Sequence, residues 1–143
     1  MSARTTRLYS RLQQAAHAAM KAADRASLEA AGITTAQAAM LTVTQAGEPI
    51  TQRSIADQLG LNESAVTQMT ARLMKLGLIE RTRDAEDARA WRLSLTGAGR
   101  AALERLRAPF ARINAALDAA LGDEDAATLA ATLVRIAKAF PAV

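Results

Sequence analysis

At 143 residues, half of them hydrophobic, the chain has the length and make-up of a single globular domain, which excludes an intrinsically disordered polypeptide. Alanine supplies much of that half and aromatics only 3%, so small, unbranched side chains favour packed helices over sheets. A net charge of +4 permits an acidic partner, but the balance is even along the chain: basic against acidic residues run five to three in 1–50, seven to six in 51–92 and six to five in 93–143.

No cysteine is present, so a disulfide framework, a thiolate zinc site and thiol redox sensing are excluded. The opening MSARTTRLYSRLQQAAHAAM lacks the continuous apolar stretch of a secretion signal, and no apolar run has the length to cross a bilayer. The expectation is a soluble, cytoplasmic protein without membrane contact.

From Thr6 to about Ala30, Leu8, Leu12, Ala15, Ala16, Ala19, Met20 and Ala23 recur at three- and four-residue steps and predict a long helix with a narrow apolar stripe. So long a helix with so narrow a stripe packs on a partner. Gly32 ends it. Thr34 or Thr35 caps a second helix through Gln37, Met40, Leu41 and Val43, which stops at Gly47-Glu48-Pro49. Thr42, Val43 and Thr44 make its end weaker than its start.

Thr51 caps a short helix from Gln52 to Leu59 whose inward face is Ile55, Ala56 and Leu59. Gly60 supplies a left-handed turn, Leu61 is expected to plug the angle, and Asn62 caps a helix from Glu63 to about Lys75. Ala65, Val66, Met69, Leu73 and Leu76 form its apolar side, and Ser64, Thr67, Gln68, Ala71 and Arg72 its polar one. Such a pair lets the second helix enter a major groove, although many helix–turn–helix pairs are packing units alone. The next segment tips the balance. After Gly77, Leu78-Ile79-Glu80-Arg81 reads as a strand, Arg83 to Ala90 as a charged loop, and Trp91 to Leu95 as a second strand. That is a wing, with Arg89 available to a narrow minor groove.

Thr96 opens another helix, its first turn weakened by Gly97 and Gly99. Leu103, Leu106, Phe110, Ile113 and Leu117 continue it, with a kink expected near Arg105 because of Pro109. After Gly122, Asp123-Glu124-Asp125 is placed in the first turn of a last helix with Leu129, Leu133, Ile136, Ala137 and Phe140 as its apolar face. The fold class is therefore mainly α with a small two- or three-stranded wing. Residues 31–99 form a winged helix-turn-helix lobe, and 1–30 with 100–143 a helical dimerisation lobe, in one compact domain.

The candidate base-reading residues are Ser64, Thr67 and Gln68: an amide pairs two-pronged with adenine, and a threonine methyl meets a thymine methyl. Arg53, Ser54, Lys75 and Arg83 are phosphate candidates, which fix register without reading sequence. Asp87 is expected to orient Arg89, and Arg72 either touches DNA or pairs with a wing aspartate to support the wing.

The chain resembles the MarR family of bacterial winged-helix regulators. The resemblance rests on Ile33 to Gln37, on Thr51 to Gly60, on Ser64 to Thr67 leading to Arg72 to Ile79, and on the wing Arg83 to Ala90 running into Leu93 to Thr96. It implies a homodimer whose terminal helices interlock and whose two recognition helices enter successive major grooves of a pseudo-palindrome in double-stranded DNA. It also implies repression released by a small phenolic or otherwise anionic effector. Its usual effector pocket maps onto Tyr9, His17, Met20 and Met40. Two wing positions depart from the family pattern: Ala85 stands where Pro is common and Ala88 where a second Arg is common, leaving Arg89 alone.

The alternative is a winged helix that binds protein and not DNA, supported by the even charge distribution. Against it, Ser64, Thr67, Gln68 and Arg89 form a polar surface, whereas protein-binding faces centre on apolar anchors. An enzyme is not expected. The sequence has no glycine-rich phosphate loop, no nucleophile with a base at motif spacing, and its one histidine has no companion for a metal. No cofactor is expected.

Overall fold

The computed structural model describes residues 3–87 and 89–141. Ala88 and the two residues at each end of the chain lie outside the described residues. Among the described residues, six helices and three strands follow one another as α1 (Ala3–Ala31), α2 (Thr35–Gly47), β1 (Ile50–Thr51), α3 (Gln52–Leu59), α4 (Glu63–Lys75), β2 (Ile79–Arg83), β3 (Trp91–Leu95), α5 (Gly97–Leu121) and α6 (Ala126–Lys138).

Polar side chains of α1 fix the corner into α2. Gly32 turns the chain with φ +70°. The buried Ser27 hydroxyl donates to the Ile33 carbonyl at 2.7 Å. Thr34 caps α2 reciprocally: its hydroxyl accepts the Gln37 amide at 3.2 Å while Gln37 Oε1 accepts the Thr34 amide at 2.9 Å. The Asp24 carboxylate takes the Thr35 amide at 2.8 Å and also the Thr35 hydroxyl. Helix α2 continues to Gly47 although Thr42, Val43 and Thr44 are weak helix formers; the Thr42 and Thr44 hydroxyls donate back to the Ala38 and Met40 carbonyls.

The sheet is antiparallel in the order β1-β3-β2, with Ile50 opposite Leu93, Ile79 opposite Leu95 and Arg83 opposite Trp91. The wing is thus three-stranded. The sequence reading misses β1, whose two residues precede α3 and are too few to show a period. It also ends β2 early, at Arg81. The core gathers Ile33, Met40, Leu41, Ile55, Val66, Leu73, Leu93 and Leu106 from α2, α3, α4, β3, α5 and the turn before α2, all essentially free of solvent.

Gly99 is required by close approach. A Cβ there would lie 2.1 Å from the Leu78 carbonyl oxygen, so the first turn of α5 rests directly on the chain entering β2. Thr96 ties the same junction. Its hydroxyl donates to the Gly77 carbonyl at 2.6 Å and accepts the Gly99 amide at 3.1 Å, and its own amide donates to Leu78 at 3.1 Å. The glycine that looks weakening in sequence is what lets α5 dock. Helix α5 continues through the buried Pro109, so proline does not end it.

Three expectations are corrected. Leu61 and Leu76, read as inward, are each 39% exposed, because the turn at Gly60 and the end of α4 carry them to the surface. Asp123 and Glu124 precede α6 rather than lying in its first turn. Asp125 is the cap, its carboxylate accepting the Ala127 amide at 3.0 Å and the Thr128 hydroxyl at 2.7 Å. Phe140 lies beyond the end of α6.

The stripe of α1 divides in two. Leu12, Ala19 and Ala23 are half-buried within the chain, whereas Leu8 and Met20 are exposed. Exposed apolar side chains also crowd α6, where no residue is buried and Leu129, Leu133 and Val134 face outward, and the end of α5 at Leu117. Among the described residues, no helix is long and apolar enough to cross a membrane.

Candidate nucleic-acid interface

Helix α3, its turn and α4 are built by caps. The Thr51 hydroxyl accepts the Ser54 amide at 3.2 Å and Asn62 Oδ1 accepts the Ala65 amide at 2.8 Å. Between them Gly60 adopts φ +64°, and the Leu61 amide closes the turn on the Ala56 carbonyl at 3.0 Å. Helix α4 buries Val66, Thr70 and Leu73. Its other side, Ser64, Thr67, Gln68, Ala71 and Arg72, is exposed. Thr70 is the inward residue that sequence reading missed, since threonine carries no apolar signal. Its hydroxyl oxygen is buried with no partner.

Thr67 is not a free hydroxyl. Its Oγ1 lies 2.8 Å from the Glu63 carbonyl and 3.0 Å from Gln52 Oε1. One hydroxyl proton serves one of these acceptors; the other contact is satisfied if the Gln52 amide turns its nitrogen toward Thr67. In either arrangement the hydroxyl is occupied within the protein and the methyl is what Thr67 offers outward. Gln52, Thr67, Thr70, Ala71, Met74 and Arg81 line a groove of about 290 Å³ between α3, α4 and β2.

The phosphate candidates differ in setting. Arg53 and Lys75 are exposed at the start of α3 and the end of α4, while Ser54 is half-buried, its Oγ accepting Gln58 Nε2 at 3.3 Å. Arg83 is the last residue of β2 and not part of the loop, with its guanidinium over the Trp91 ring.

The wing loop is braced by a residue that the sequence reading did not single out. Arg92 Nε binds Asp84 Oδ2 at 2.6 Å and Nη1 donates to the Pro49 carbonyl at 3.3 Å. Asp84 Oδ1 accepts the Glu86 amide at 2.9 Å, and the Asp84 amide donates to Ala90 at 3.0 Å. The Glu86 amide first, then Arg92, holds the Asp84 carboxyl below its ordinary pKa. Arg72 does not have the supporting role: among the described residues no carboxylate pairs with it. On the helix it sits among the outward residues, while Arg92 lies in the sheet beside the loop. The Asp87 carboxylate accepts the Arg89 backbone amide at 2.9 Å and makes no contact with the guanidinium among the salt bridges of the described residues; the Arg89 side chain is exposed.

At the opposite end of β3, Glu48 joins α2, β3 and α5. One carboxylate oxygen accepts the Leu95 amide at 2.8 Å and the other binds Arg100. Arg100 first, then the Leu95 amide, lowers its pKa.

The four residues mapped to an effector pocket are not brought together within one chain. Tyr9, His17 and Met20 are exposed along α1, whereas Met40 has no exposure and belongs to the core. Its apolar side chain follows the buried face of α2, which the sequence spacing already contained.

A sequence profile described as MarR family matches residues 31–90. A search of the curated proteins finds no match. Among solved structures, the chain is similar to the transcriptional repressor CouR bound to a 23-mer DNA duplex, with 30% identity and a TM-score of 0.81 over 88% of this chain and 89% of that one. It is also similar to MepR of S. aureus in a DNA complex, with 27% identity and a TM-score of 0.82 over 92% of this chain and 98% of that one. The PcaV transcriptional regulator from Streptomyces coelicolor, in complex with its natural ligand, matches with 29% identity and a TM-score of 0.76 over 94% of this chain and 92% of that one. With a capped helix pair, a three-stranded wing and these relatives along nearly its whole length, the chain belongs to the MarR family of transcriptional regulators.

Proposed function

We propose that the protein is a cytoplasmic, homodimeric repressor that binds a pseudo-palindromic operator in double-stranded DNA and leaves it when a small phenolic or otherwise anionic molecule binds. The observation that carries this reading is the exposed polar face of α4, with Ser64, Thr67, Gln68 and Arg72 outward and Val66, Thr70 and Leu73 inward, beside a braced wing. In this reading Gln68 pairs with a base edge, Ser64 supplies a hydroxyl, and Thr67 contributes its methyl to a thymine. Arg89 enters the minor groove, and Arg53, Ser54 and Lys75 contact phosphates.

The segments 1–30 and 100–143 pair two copies. Leu8, Met20 and Leu28 on α1, Leu117 on α5 and Leu129, Leu133 and Val134 on α6 expose apolar side chains at both ends of the chain, which a second copy would cover. Two copies place recognition helices one DNA turn apart, roughly 34–36 Å. Tyr9, His17 and Met20 are exposed along α1, and in this reading the effector binds against that helix, between the copies; Met40 stays in the core. MepR and CouR in complex with DNA, and PcaV in complex with its ligand, support the two halves of the proposal.

The test is fluorescence anisotropy with the duplex flanking the protein's own gene, at low and moderate salt, together with light scattering at micromolar concentration. A dimer and a salt-sensitive anisotropy rise are expected. A monomer, or no rise with any duplex, would overturn it.

A further inference from the structure

Arg81 and Arg83 stand two residues apart on β2 and so project from one face of the sheet. Trp91 is the cross-strand partner of Arg83 and projects from that same face. Both guanidinium carbons lie 4.4 Å from the Trp91 ring centroid, and therefore within twice that distance of each other. Further along, the same face carries Ile79, Leu93 and Leu95, all buried. The apolar face of the sheet thus ends in one half-buried indole and two exposed cations.

This arrangement concentrates positive charge at the end of the sheet's apolar face. Two like charges on one ring repel each other, and the negative face of the indole offsets only part of that. Among the described residues no carboxylate pairs with Arg81. Glu80 belongs to the opposite face of β2, paired with Ser94, and Asp84 is engaged by Arg92. Arg81 also lines the groove shared with Gln52, Thr67 and Ala71, which sets it beside the outward face of α4. A planar guanidinium stacked on an aromatic ring is held ready for a phosphate with little side-chain freedom left to lose.

We propose that Arg81 and Arg83 form a phosphate clamp at the base of the wing, and that Trp91 is the positioning residue that holds it. The clamp rests on the DNA-binding reading and adds to it a cationic contact that the wing tip, with Arg89, does not supply alone.

Trp91 is the only tryptophan of the chain, so its emission reports on the clamp directly. The experiment uses the full-length dimer with two duplexes of equal length, one spanning the DNA upstream of its gene and one a scrambled version. Arg81→Gln and Arg83→Gln should each lower the steepness of the log affinity–log salt plot by about 2 per dimer, equally on both duplexes, as expected when each of two copies releases one phosphate. Adding duplex should change Trp91 emission in the parent protein and less in Arg81→Gln. Trp91→Leu should weaken binding severalfold, and Arg81→Gln should then cost much less than in the parent background. Trp91→Phe, which keeps a ring, should retain most of the affinity. Both arginines are exposed, so their glutamine variants fold. An unchanged salt slope in Arg81→Gln, or an equal Arg81→Gln cost with and without the tryptophan, overturns the clamp while leaving DNA binding intact. Failure of the parent protein to bind either duplex at low salt overturns the underlying reading and the clamp with it.

Discussion

Alanine in place of glycine inside a helix ordinarily stabilises a protein by about 0.5–1 kcal/mol, yet Gly99→Ala should destabilise this one. The added Cβ would lie 2.1 Å from the Leu78 carbonyl oxygen, 3.1 Å from its carbon and 3.3 Å from Leu95 Cγ. The first obstacle is backbone and must retreat by more than an ångström. It is not free to do so: the Leu78 oxygen accepts the Thr96 amide at 3.1 Å, and Leu95 is 4% exposed in the core. Overpacking of this kind costs roughly 1–3 kcal/mol and a strained hydrogen bond about 1 kcal/mol more; set against the helical gain, the net loss is about 2 kcal/mol. Gly97→Ala is the control, because its Cβ would meet nothing within 4 Å, and that variant should be as stable as the parent or up to about 1 kcal/mol more so. Urea unfolding followed by circular dichroism at one fixed protein concentration measures both, since the stability of a dimer depends on concentration. If Gly99→Ala proves as stable as Gly97→Ala, the close approach of α5 to the chain entering β2 is not what fixes that junction.

Arg89→Ala should weaken anisotropy-measured binding to every duplex without altering the unfolding midpoint, whereas Gln68→Ala should blunt discrimination at one base position by roughly 1–3 kcal/mol; full affinity in both variants across operator sequences would remove these roles. Asp84→Asn should loosen the wing by releasing Arg92, lowering DNA affinity while the unfolding midpoint barely moves; binding equal to the parent's would show that the brace is dispensable. Thr70→Val exchanges a buried, unpartnered hydroxyl for a methyl of similar shape and should raise stability by about 1 kcal/mol, so a lower urea midpoint would mean the hydroxyl has a partner. Asp24, Glu48, Asp84 and Asp125 all have pKa values lowered in the folded chain, chiefly by the Thr35 hydroxyl, Arg100, the Glu86 amide and the Thr128 hydroxyl respectively. Their contribution is therefore fully present above the ordinary carboxylate range, about pH 4, and is lost as pH falls through the lowered values. Urea midpoints should be level from pH 7 to 5 and drop below about pH 4; a midpoint that rises on acidification would contradict those hydrogen bonds.

Local signals carried much of this architecture. Caps at Thr34, Thr51, Asn62 and Thr96 and stops at Gly32 and Gly60 are chemistry between residues within a few positions of one another, so helices α2 to α5 can be placed from the chain alone. The outward face of α4 is equally legible, because a period of 3.6 separates Ser64, Thr67 and Gln68 from Val66 and Leu73 without reference to anything else. Strand β1 was not legible: Ile50 and Thr51 become a strand only when β3 comes alongside.

The candidate site divides along the same line. Residue spacing alone shows which side chains α4 turns outward, that a charged loop follows between two strands, and that the terminal helices carry apolar residues at helical steps. Tertiary structure decided which arginine braces the wing, choosing Arg92 over Arg72, that Thr67 spends its hydroxyl within the protein, and that Met40 is core. It also decided that Trp91 gathers Arg81 and Arg83. Each of these depends on strand register or on the packing of α4 against its neighbours, which bring together residues as many as 15 positions apart, as with Gln52 and Thr67, or 43, as with Pro49 and Arg92. Periodicity and capping act over one or two turns, so pairings at such separations are fixed by how the elements pack and not by the local chain.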